Sequence, residues 1–385
     1  MHVAHIFKTF FPETSGGMER AIETICIETG KLGVRTSLLT CGNVRHPDRF
    51  RYREIDVFRF PLSFGVASTP ISVRMLLSGG HIINSADIIH THFPWPFADL
   101  LYFLSRTRKP LVTTYHADMP DWPVLRQLYR PLATKLLGCA AHIVATSPDY
   151  LASSPLLTQV ENKCSVIPLG LDETTYPTPD NTLLDVMESR VGRGFALFVG
   201  VFRRYKGLQW LVQSARNIKG TGVLAGAGTE AGAGTESARF RALVDSEQLP
   251  NVIVLGHVTE EEKMALYQLA CCVVLPSDQR TEAFGLTLVE AAMSGKPMVS
   301  TRLNTGTTYV NLDKVTGITV PPADPIALSE AINALLLDSA LGLRYGREAR
   351  HRYERLFDAR NIGARYYHLY NESLASHSPT NRPPL

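Results

Sequence analysis

The chain has 385 residues, of which 45% are hydrophobic and 19% are charged, and its net charge is +3 at neutral pH. This length predicts two or three domains, and the composition excludes a disordered, collagen-like or disulfide-stapled protein. The small net charge gives no reason to expect a nucleic-acid partner. No uncharged apolar run reaches the roughly 18 residues that a membrane span needs, so we expect no spanning segment. The six cysteines include no CxxC pair, which favours a reducing, cytoplasmic environment.

Apolar runs typical of buried strands alternate with helical patterns along the chain, which predicts parallel sheets with crossover helices. The first set of runs comprises Val3–Phe7, Thr36–Thr40, Val57–Phe60, Asp87–His90, Leu111–His116, His142–Ser147 and Cys164–Pro168. The second set comprises Phe195–Gly200, Val223–Gly226, Val252–Gly256, Cys272–Pro276, Pro297–Ser300 and Ile318–Val320.

The two sets predict an α/β protein with two Rossmann-like parallel-sheet domains that face a central cleft. We place the first domain at residues 1–175 and the second at 176–357. A helix at 358–377 is expected to pack back toward the first domain, and a disordered tail is expected at 378–385. Ligands of open parallel sheets bind beyond the carboxyl ends of the strands, so the cleft is the expected site.

Gly16 and Gly17 follow the first predicted strand and open the first predicted helix. Glycines let the backbone approach a ligand closely, and free N–H groups at a helix start favour an anion. We therefore predict a contact with a bound phosphate here. The alternative is an ordinary Gly-Gly turn.

His92 and His116 lie at the ends of two predicted strands. A histidine at the carboxyl edge of a parallel strand can position a hydroxyl or accept a proton. The alternative is a buried histidine whose hydrogen bonds are structural. We predict a catalytic role for His116, and contacts with an acceptor substrate for His92, Trp95 and Asp118.

Three cations, Arg203, Arg204 and Lys206, follow the first strand of the second set. Cations that converge on a ligand site neutralise a diphosphate and the charge that develops on a departing one. The alternative is a loop whose charges are simply solvated.

The most specific pattern is a pair of carboxylates, Glu282 and Glu290, on either side of a glycine-containing turn. The backbone N–H groups of Phe284, Gly285 and Leu286 can hold an anion there, while the two acids accept hydrogen bonds from sugar hydroxyls. Few structural roles demand this arrangement.

Gly226 and Gly228 formally match the dinucleotide fingerprint GxGxxA after a strand. Part of the match arises from a tandem duplication, AGAGTE at 225–230 and again at 231–236, which we expect to lengthen one loop. Because a dehydrogenase carries this turn on the first strand of its nucleotide domain, we do not predict NAD binding.

Together these segments resemble the retaining glycosyltransferases of family 4, with the GT-B fold, over nearly the whole chain. The resemblance is carried by Gly16 and Gly17, by the strand end at His116, and by the segments 166–172, 199–207, 226–228 and 282–290. It implies that the second domain binds a nucleotide sugar, with Lys206 on the diphosphate, Glu290 on the ribose and Glu282 on the donor sugar. Family members usually carry an arginine where this chain has Val201, for which Arg203 or Arg204 are the expected substitutes.

Residues 205–208, 280–285 and 305–311 resemble the branch that uses GDP-mannose or GDP-D-rhamnose to build bacterial surface polysaccharides. The resemblance implies transfer of a hexosyl residue, with retention, to a lipid-linked saccharide acceptor in O-antigen synthesis, without a further cofactor. No Asp-x-Asp motif occurs, so no metal is expected. The alternatives are a UDP-sugar donor, a GT-B epimerase or phosphorylase, and a catalytically silent nucleotide-sugar-binding protein.

Leu125, Leu128, Leu132, Leu136 and Leu137 are expected to form one apolar helix face. Arg126, Arg130 and Lys135 lie close to them in sequence. This pattern predicts peripheral attachment to the inner face of the plasma membrane. The alternative is a core helix with solvated basic residues.

Overall fold

The computed structural model describes residues 1–14, 16–66, 69–119, 123–226 and 233–377. Their contacts divide the chain into two units, one formed by Met1–Leu171 with the segment from Ala359, and one formed by Asp172–Asp358. The C-terminal helix therefore groups with the first unit. Gly228, most of the duplicated hexapeptide's first copy and the tail at 378–385 lie outside the described residues.

The strands follow the predicted apolar runs to within a few residues. They are β1 His2–Ile6, β2 Arg35–Gly42, β3 Asp48–Tyr52, β4 Ile55–Pro61, β5 Phe64–Val66, β6 Thr69–Ile71, β7 Ile88–Phe93, β8 Leu111–Tyr115, β9 His142–Ala145, β10 Cys164–Val166, β11 Ala196–Val199, β12 Gly222–Ala225, β13 Val252–Gly256, β14 Cys272–Leu275, β15 Met298–Thr301 and β16 Gly317–Val320. Three of these strands, β3, β5 and β6, were not expected from the sequence.

Helices connect most of these strands. They are α1 Gly17–Lys31, α2 Val73–Ser85, α3 Pro96–Leu104, α4 Pro123–Cys139, α5 Pro148–Ser153, α6 Asn181–Val191, α7 Leu208–Ser214, α8 Ala233–Ser246, α9 Glu260–Leu269, α10 Leu286–Met293, α11 Gly306–Val310, α12 Pro325–Leu337, α13 Ser339–Arg352 and α14 Ala359–Ser376. We had expected the duplication to lengthen one loop. Helix α8 begins inside the second copy of the hexapeptide, so the end of that copy is helical instead.

The first unit contains an eight-stranded sheet in the order β10-β9-β8-β7-β1-β2-β4-β3. Its pairs are parallel except that β3 runs antiparallel to β4 at one edge. The second unit contains a six-stranded parallel sheet in the order β13-β12-β11-β14-β15-β16. Both are the sheets with crossover helices that the alternating pattern predicted, because strands that are covered on both faces need nearly continuous apolar sequence.

Helix α14 completes the core of the first unit although it comes last in the chain. Ile362, Tyr366, Leu369 and Tyr370 pack with apolar residues of β1, β7, β8 and β9 in one buried cluster. Gly363 allows the close approach of α14 to α1, because a Cβ atom there would lie 2.3 Å from Cβ of Glu28.

Helix α4 does not present the single apolar face that its leucines predicted. Leu136 and Leu137 are buried core residues, whereas Leu125 and Leu128 are exposed. The second half of the helix therefore packs inward, in line with the alternative of a core helix, and peripheral membrane attachment stays a prediction. Within the described residues, no single helix has both the length and the apolar composition to cross a membrane. Two helical segments, 325–337 and 339–357, have that length and composition only when taken together, and they are sharply bent relative to each other.

Candidate active site

Two glycines shape the loops that follow strands β11 and β12 in the second unit. Gly207 has φ of 69°, and a Cβ atom there would lie 1.9 Å from the carbonyl oxygen of Pro276. Gly226 has φ of 139°, and its Cβ would lie 2.0 Å from the carbonyl oxygen of Gly200. Because L-residues rarely adopt these φ values, only glycine fits at either position. The loops at the carboxyl ends of these strands are thus closely packed against neighbouring backbone.

Lys206 and Glu282, two of the predicted catalytic residues, form an ion pair in this unit. The ammonium of Lys206 bonds to Oε2 of Glu282, which also accepts a hydrogen bond of 3.1 Å from the Ser277 hydroxyl. Burial by itself lowers the pKa of Lys206, but the Glu282 carboxylate raises it above its ordinary value. Lys206 is therefore a fixed cation, as a diphosphate site requires.

The turn after Glu282 places a helix N-terminus beside this pair. Gly285 has φ of 81° and immediately precedes α10, and no described side chain caps the helix there. Phe284 is buried and packs edge-on against Phe357, which anchors the turn. Uncapped N–H groups at the start of α10, including that of Leu286, are the donors that an anion needs.

Glu290 lies one turn inside α10 and is held by three side chains. Its Oε1 accepts hydrogen bonds from Lys263 at 2.8 Å and from the Tyr176 hydroxyl at 3.1 Å, and its Oε2 accepts one from the Tyr267 hydroxyl at 2.9 Å. Glu290 is only 8% exposed. Its carboxylate is therefore fixed in orientation before any ligand binds.

Arg203 and Arg204, the expected substitutes for the arginine missing at Val201, are both exposed. Arg204 lines a surface pocket of about 370 Å³. The other lining residues are Gln209, Trp210, Arg239, Phe240 and Leu243. Which of the two arginines supplies a second cation stays a prediction.

In the first unit His116 is joined to two other buried histidines. Its Nε2 lies 2.9 Å from Nδ1 of His92, and Nε2 of His92 lies 3.0 Å from Nδ1 of His5. Burial lowers the pKa of His116 to about 4, so its ring is neutral at physiological pH. A neutral imidazole can donate or accept a hydrogen bond, which suits a residue that positions a hydroxyl.

The other residues assigned to an acceptor are tied into the first unit. Trp95 is 1% exposed, and its indole N–H donates to the carbonyl of Pro70 at 3.1 Å. Oδ1 of Asp118 accepts hydrogen bonds from the hydroxyls of Tyr115 and Ser154. These bonds are structural, and the acceptor contacts of His92, Trp95 and Asp118 stay a prediction.

Gly16 immediately precedes α1, and Gly17 is the first residue of that helix. The Glu19 carboxylate folds back over this helix start, since a Cβ on Gly16 would lie 2.5 Å from its Oε2. Oε1 of Glu19 accepts hydrogen bonds from Thr9 and Thr14. The helix start therefore already faces an anion, and a phosphate contact at Gly16 and Gly17 stays a prediction.

The described residues contain one group of side chains with the spacing of a metal site. Nitrogen atoms of His5, His90 and His92 lie within 4.8 Å of one another. Both ring nitrogens of His90 are bonded, one to the Tyr370 hydroxyl at 2.8 Å and one to the Thr114 hydroxyl at 2.7 Å. Since His5 and His92 also bond each other, these imidazoles are engaged as hydrogen-bonding groups.

Sequence reasoning missed His5, Lys263 and Tyr267, although each contacts a predicted site residue. His5 lies inside a strand, and the sequence gives no register that would place it beside His92. Lys263 and Tyr267 are four residues apart on α9, which puts them on one helix face. The spacing could be read from the sequence, but the sequence did not show that this helix face contacts Glu290.

Comparison with known proteins identifies the family. A family model for Glycosyltransferase Family 4 matches residues 15–175, and one for Glycosyl transferases group 1 matches residues 183–352. The chain is 39% identical over 365 residues to the D-rhamnosyltransferase WbpZ of Pseudomonas aeruginosa, with 93% of each chain covered. The chain belongs to glycosyltransferase family 4. The resemblance inferred from the motifs is thereby confirmed, and the protein is a glycosyltransferase.

This glycosyltransferase is also 36% identical over 378 residues to the O-antigen chain mannosyltransferase C of Escherichia coli, covering 98% of this chain and 100% of that protein. Among solved structures, it is similar to sucrose-phosphate synthase from Thermosynechococcus elongatus. The TM-score is 0.82 at 23% identity, and the match covers 97% of this chain and 99% of that one. The GT-B fold predicted from the sequence is confirmed.

Proposed function

We propose that this glycosyltransferase transfers mannose or D-rhamnose from a GDP-sugar to a lipid-linked saccharide during synthesis of bacterial O-antigen. The observation that carries the proposal is the combination of the Lys206–Glu282 pair with near-full-length similarity to a D-rhamnosyltransferase and an O-antigen mannosyltransferase. Both relatives are named for transfer of a sugar of the manno series. The GDP moiety rests on the motifs at 205–208, 280–285 and 305–311.

The second unit binds the donor in this proposal. Lys206 and the N–H groups at the start of α10 hold the diphosphate, and Arg203 or Arg204 adds a second cation. Glu290 accepts hydrogen bonds from the ribose hydroxyls, and Glu282 does so from the sugar. Gly226, which packs against the backbone of Gly200 at the carboxyl end of β12, is a further proposed contact with the nucleotide. Gly228 and the pair Gly16 and Gly17 complete the proposed donor contacts.

Transfer proceeds with retention of the anomeric configuration. The acceptor hydroxyl attacks on the face that the diphosphate leaves, the bond from the anomeric carbon to the diphosphate oxygen breaks, and that oxygen takes the hydroxyl proton. His116 positions a hydroxyl through its neutral ring. Lys206 stabilises the charge on the departing diphosphate, a role in which a single donor is worth about 3 kcal/mol.

The reaction needs no divalent metal or further cofactor in this proposal. The sequence has no Asp-x-Asp motif. A lysine ammonium is bonded to each of the two site carboxylates, Glu282 and Glu290. In this proposal the diphosphate receives its positive charge from Lys206, from Arg203 or Arg204, and from the N–H groups at the start of α10.

We further propose that the first unit attaches peripherally to the inner face of the plasma membrane, where a lipid-linked acceptor resides. Exposed apolar side chains occur on three helices, α2, α3 and α4, of which α3 packs against the other two. They include Val73, Leu77, Leu100, Leu104, Val124, Leu125 and Leu128. Arg74, Arg126 and Arg130 are exposed on the same helices. Apolar groups next to cations are typical of proteins that bind anionic lipid surfaces.

The experiment that tests the proposed function is a donor panel. The full-length protein is incubated with GDP-mannose, GDP-D-rhamnose, GDP-glucose, UDP-glucose and UDP-N-acetylglucosamine, each with and without a lipid-linked saccharide acceptor, and in buffer with EDTA. We expect consumption of a GDP-sugar of the manno series only when acceptor is present, and a product whose new linkage has the anomeric configuration of the donor.

The same panel separates the remaining classes. Consumption of UDP-sugars alone would contradict the GDP assignment. Formation of an epimerised donor, free sugar or sugar phosphate without acceptor would indicate an epimerase or a phosphorylase. Activity that disappears in EDTA and returns with Mg²⁺ would contradict metal independence.

A further inference from the structure

Three buried histidines in the first unit form a continuous chain of hydrogen bonds. Nδ1 of His5 lies 3.0 Å from Nε2 of His92, and Nδ1 of His92 lies 2.9 Å from Nε2 of His116. They come from β1, from β7 and from the residue after β8, and these strands are neighbours in the sheet. None of the three side chains is more than 4% exposed. This chain of three histidines therefore extends across three neighbouring strands out of contact with water.

The number of protons in this chain is fixed by its chemistry. Burial lowers the pKa of His5 to about 3 and of His116 to about 4, and it lowers the pKa of His92 well below its ordinary value. Three neutral imidazoles carry three N–H groups, and each N···N hydrogen bond uses one. Because each ring has a single N–H, both hydrogen bonds must point in the same direction.

Only two neutral arrangements satisfy this condition. In one, every ring is protonated on Nδ1, so Nδ1 of His116 is a donor. In the other, every ring is protonated on Nε2, so Nδ1 of His116 is an acceptor and Nε2 of His5 carries the third proton. Both end atoms, Nε2 of His5 and Nδ1 of His116, are buried without a hydrogen-bond partner among the described residues.

We propose that His5 and His92 are positioning residues that fix the orientation of His116 and couple its tautomer to their own. The chain allows Nδ1 of His116 to offer either an N–H or a lone pair to a bound hydroxyl while every ring stays neutral. This inference rests on the role of His116 proposed above and extends it to two residues that need not touch substrate. The stacked contact of His90 with His92, at 4.4 Å between ring centroids, supports the middle of the chain.

A metal ion is the competing explanation for the same cluster. Of the six ring nitrogens of His5, His90 and His92, five already have hydrogen-bond partners among the described residues, namely the neighbouring histidines, Thr114 and Tyr370. A bound metal would have to replace several of these bonds. The tautomer chain accounts for the observed distances with the protons that neutral histidines already carry.

The test is nitrogen NMR of the ligand-free, full-length protein labelled with ¹⁵N in its histidine rings. The ¹⁵N shift distinguishes a protonated ring nitrogen from a bare one and from one bound to metal. We expect His5, His92 and His116 to share one tautomer, since the chain permits no mixture of directions within one molecule. In His92→Phe, which keeps a planar ring but removes both N···N bonds, His116 should no longer share the wild-type tautomer preference.

Kinetics of the same variants provide a second readout. His92→Phe should lower kcat about tenfold and leave KM for the nucleotide sugar within twofold, because the loss acts through His116 and not on donor binding. His5→Phe should have a smaller effect in the same direction, and His5→Asn, whose amide replaces Nδ1, should restore both the tautomer and kcat. His90→Phe is the control, since His90 is equally buried but makes neither N···N bond, and a phenyl ring can keep the stacked contact with His92.

Tautomers that differ among the three rings of the wild type, metal-shifted nitrogens, or an unchanged His116 spectrum and kcat in His92→Phe would each overturn the proposal. If His92→Phe does not fold, His5→Phe tests the same chain at one bond. A wild-type protein that transfers no sugar would contradict the proposed function. Because the spectrum is recorded without substrate, the tautomers of the three histidines would still test the hydrogen-bonded chain.

Discussion

The ammonium of Lys206 is bonded to the carboxylate of Glu282 in a nearly buried ion pair. The residue proposed to hold the donor diphosphate and the residue proposed to hold the donor sugar therefore neutralise each other before the donor binds. A nucleotide sugar must share or replace this contact. The pair thus links the stability of the empty site to its function.

Glu282→Gln should lower turnover by about a hundredfold or more, which corresponds to roughly 3 kcal/mol of transition-state stabilisation. It should also lower the free energy of unfolding by about 3 kcal/mol, because it leaves the nearly buried Lys206 without a counter-charge. Steady-state kinetics and urea unfolding check both expectations. Glu247→Gln, which removes the carboxylate of the exposed ion pair with Arg216, is the control and should change neither quantity appreciably.

The double variant Lys206→Met with Glu282→Gln separates the two roles. It should recover most of the lost stability, since no charge is left unpaired, but it should stay inactive. Near-native turnover in either Glu282→Gln or the double variant would show that this pair is structural.

Lys263→Met should raise KM for the nucleotide sugar about tenfold and leave kcat within twofold. Lys263 fixes Oε1 of Glu290, and a ribose contact is made equally in the ground state and the transition state. Tyr267→Phe should have a smaller effect of the same kind. Lys296→Met is the matched control, because Lys296 bonds backbone carbonyls at Gln268 and Ala270 and does not contact Glu290. An equal effect of the two lysine variants on KM would argue against this assignment.

The protein should lose stability steeply in mild acid. Burial lowers the pKa values of four histidines, so below about pH 6.5 the unfolded chain binds protons that the native protein does not. As the pH is lowered in this range, the free energy of unfolding decreases by about 1.4 kcal/mol per pH unit for each group. The four are His5, His90, His92 and His116.

One buried acid opposes this trend. Burial raises the pKa of Asp99 to about 7, so between about pH 4 and 7 the native protein binds a proton that the unfolded chain does not. Near pH 5 the unfolded chain therefore binds about three more protons at these five groups than the native protein does. The free energy of unfolding then changes by about 4 kcal/mol per pH unit. Urea unfolding at pH 5 and pH 6 measures it, with His368→Gln as an exposed control. A slope near zero would mean that the histidines are not buried as neutral groups.

Binding to lipid vesicles should require anionic lipid and should weaken at high salt. Substituting Arg126 and Arg130 by Glu, or Leu77 and Leu128 by Ser, should reduce co-sedimentation with vesicles of phosphatidylglycerol and phosphatidylcholine several-fold. Leu343→Ser is the control, because Leu343 is 69% exposed but lies in the second unit. Equal recovery with neutral and anionic vesicles would count against the proposed membrane surface.

The sequence predicted both sheets because each central strand is covered on its two faces and needs a continuous apolar run. Strand β3, with the sequence DRFRY, was missed because an exposed antiparallel edge tolerates charged residues. The strands β5 and β6 have three residues each, too short for a period to appear.

For the site, local spacing was enough to find the chain segments but not their mutual contacts. Glu282, Gly285 and Glu290 could be selected because one turn and one helix relate them. The bond from Glu290 to Lys263 and the histidine chain through His5 depend on how separate elements pack. One sequence contains no direct signal for such packing.

The mass of the acceptor reports sugar transfer directly. A lipid-linked saccharide is incubated with the full-length protein and a GDP-sugar in EDTA, beside the Glu282→Gln variant. We expect the acceptor to gain the mass of one or more mannosyl or D-rhamnosyl residues with the wild type, and the rate with the variant to be about a hundredfold lower. An acceptor of unchanged mass after donor consumption, or equal transfer by both proteins, would contradict it.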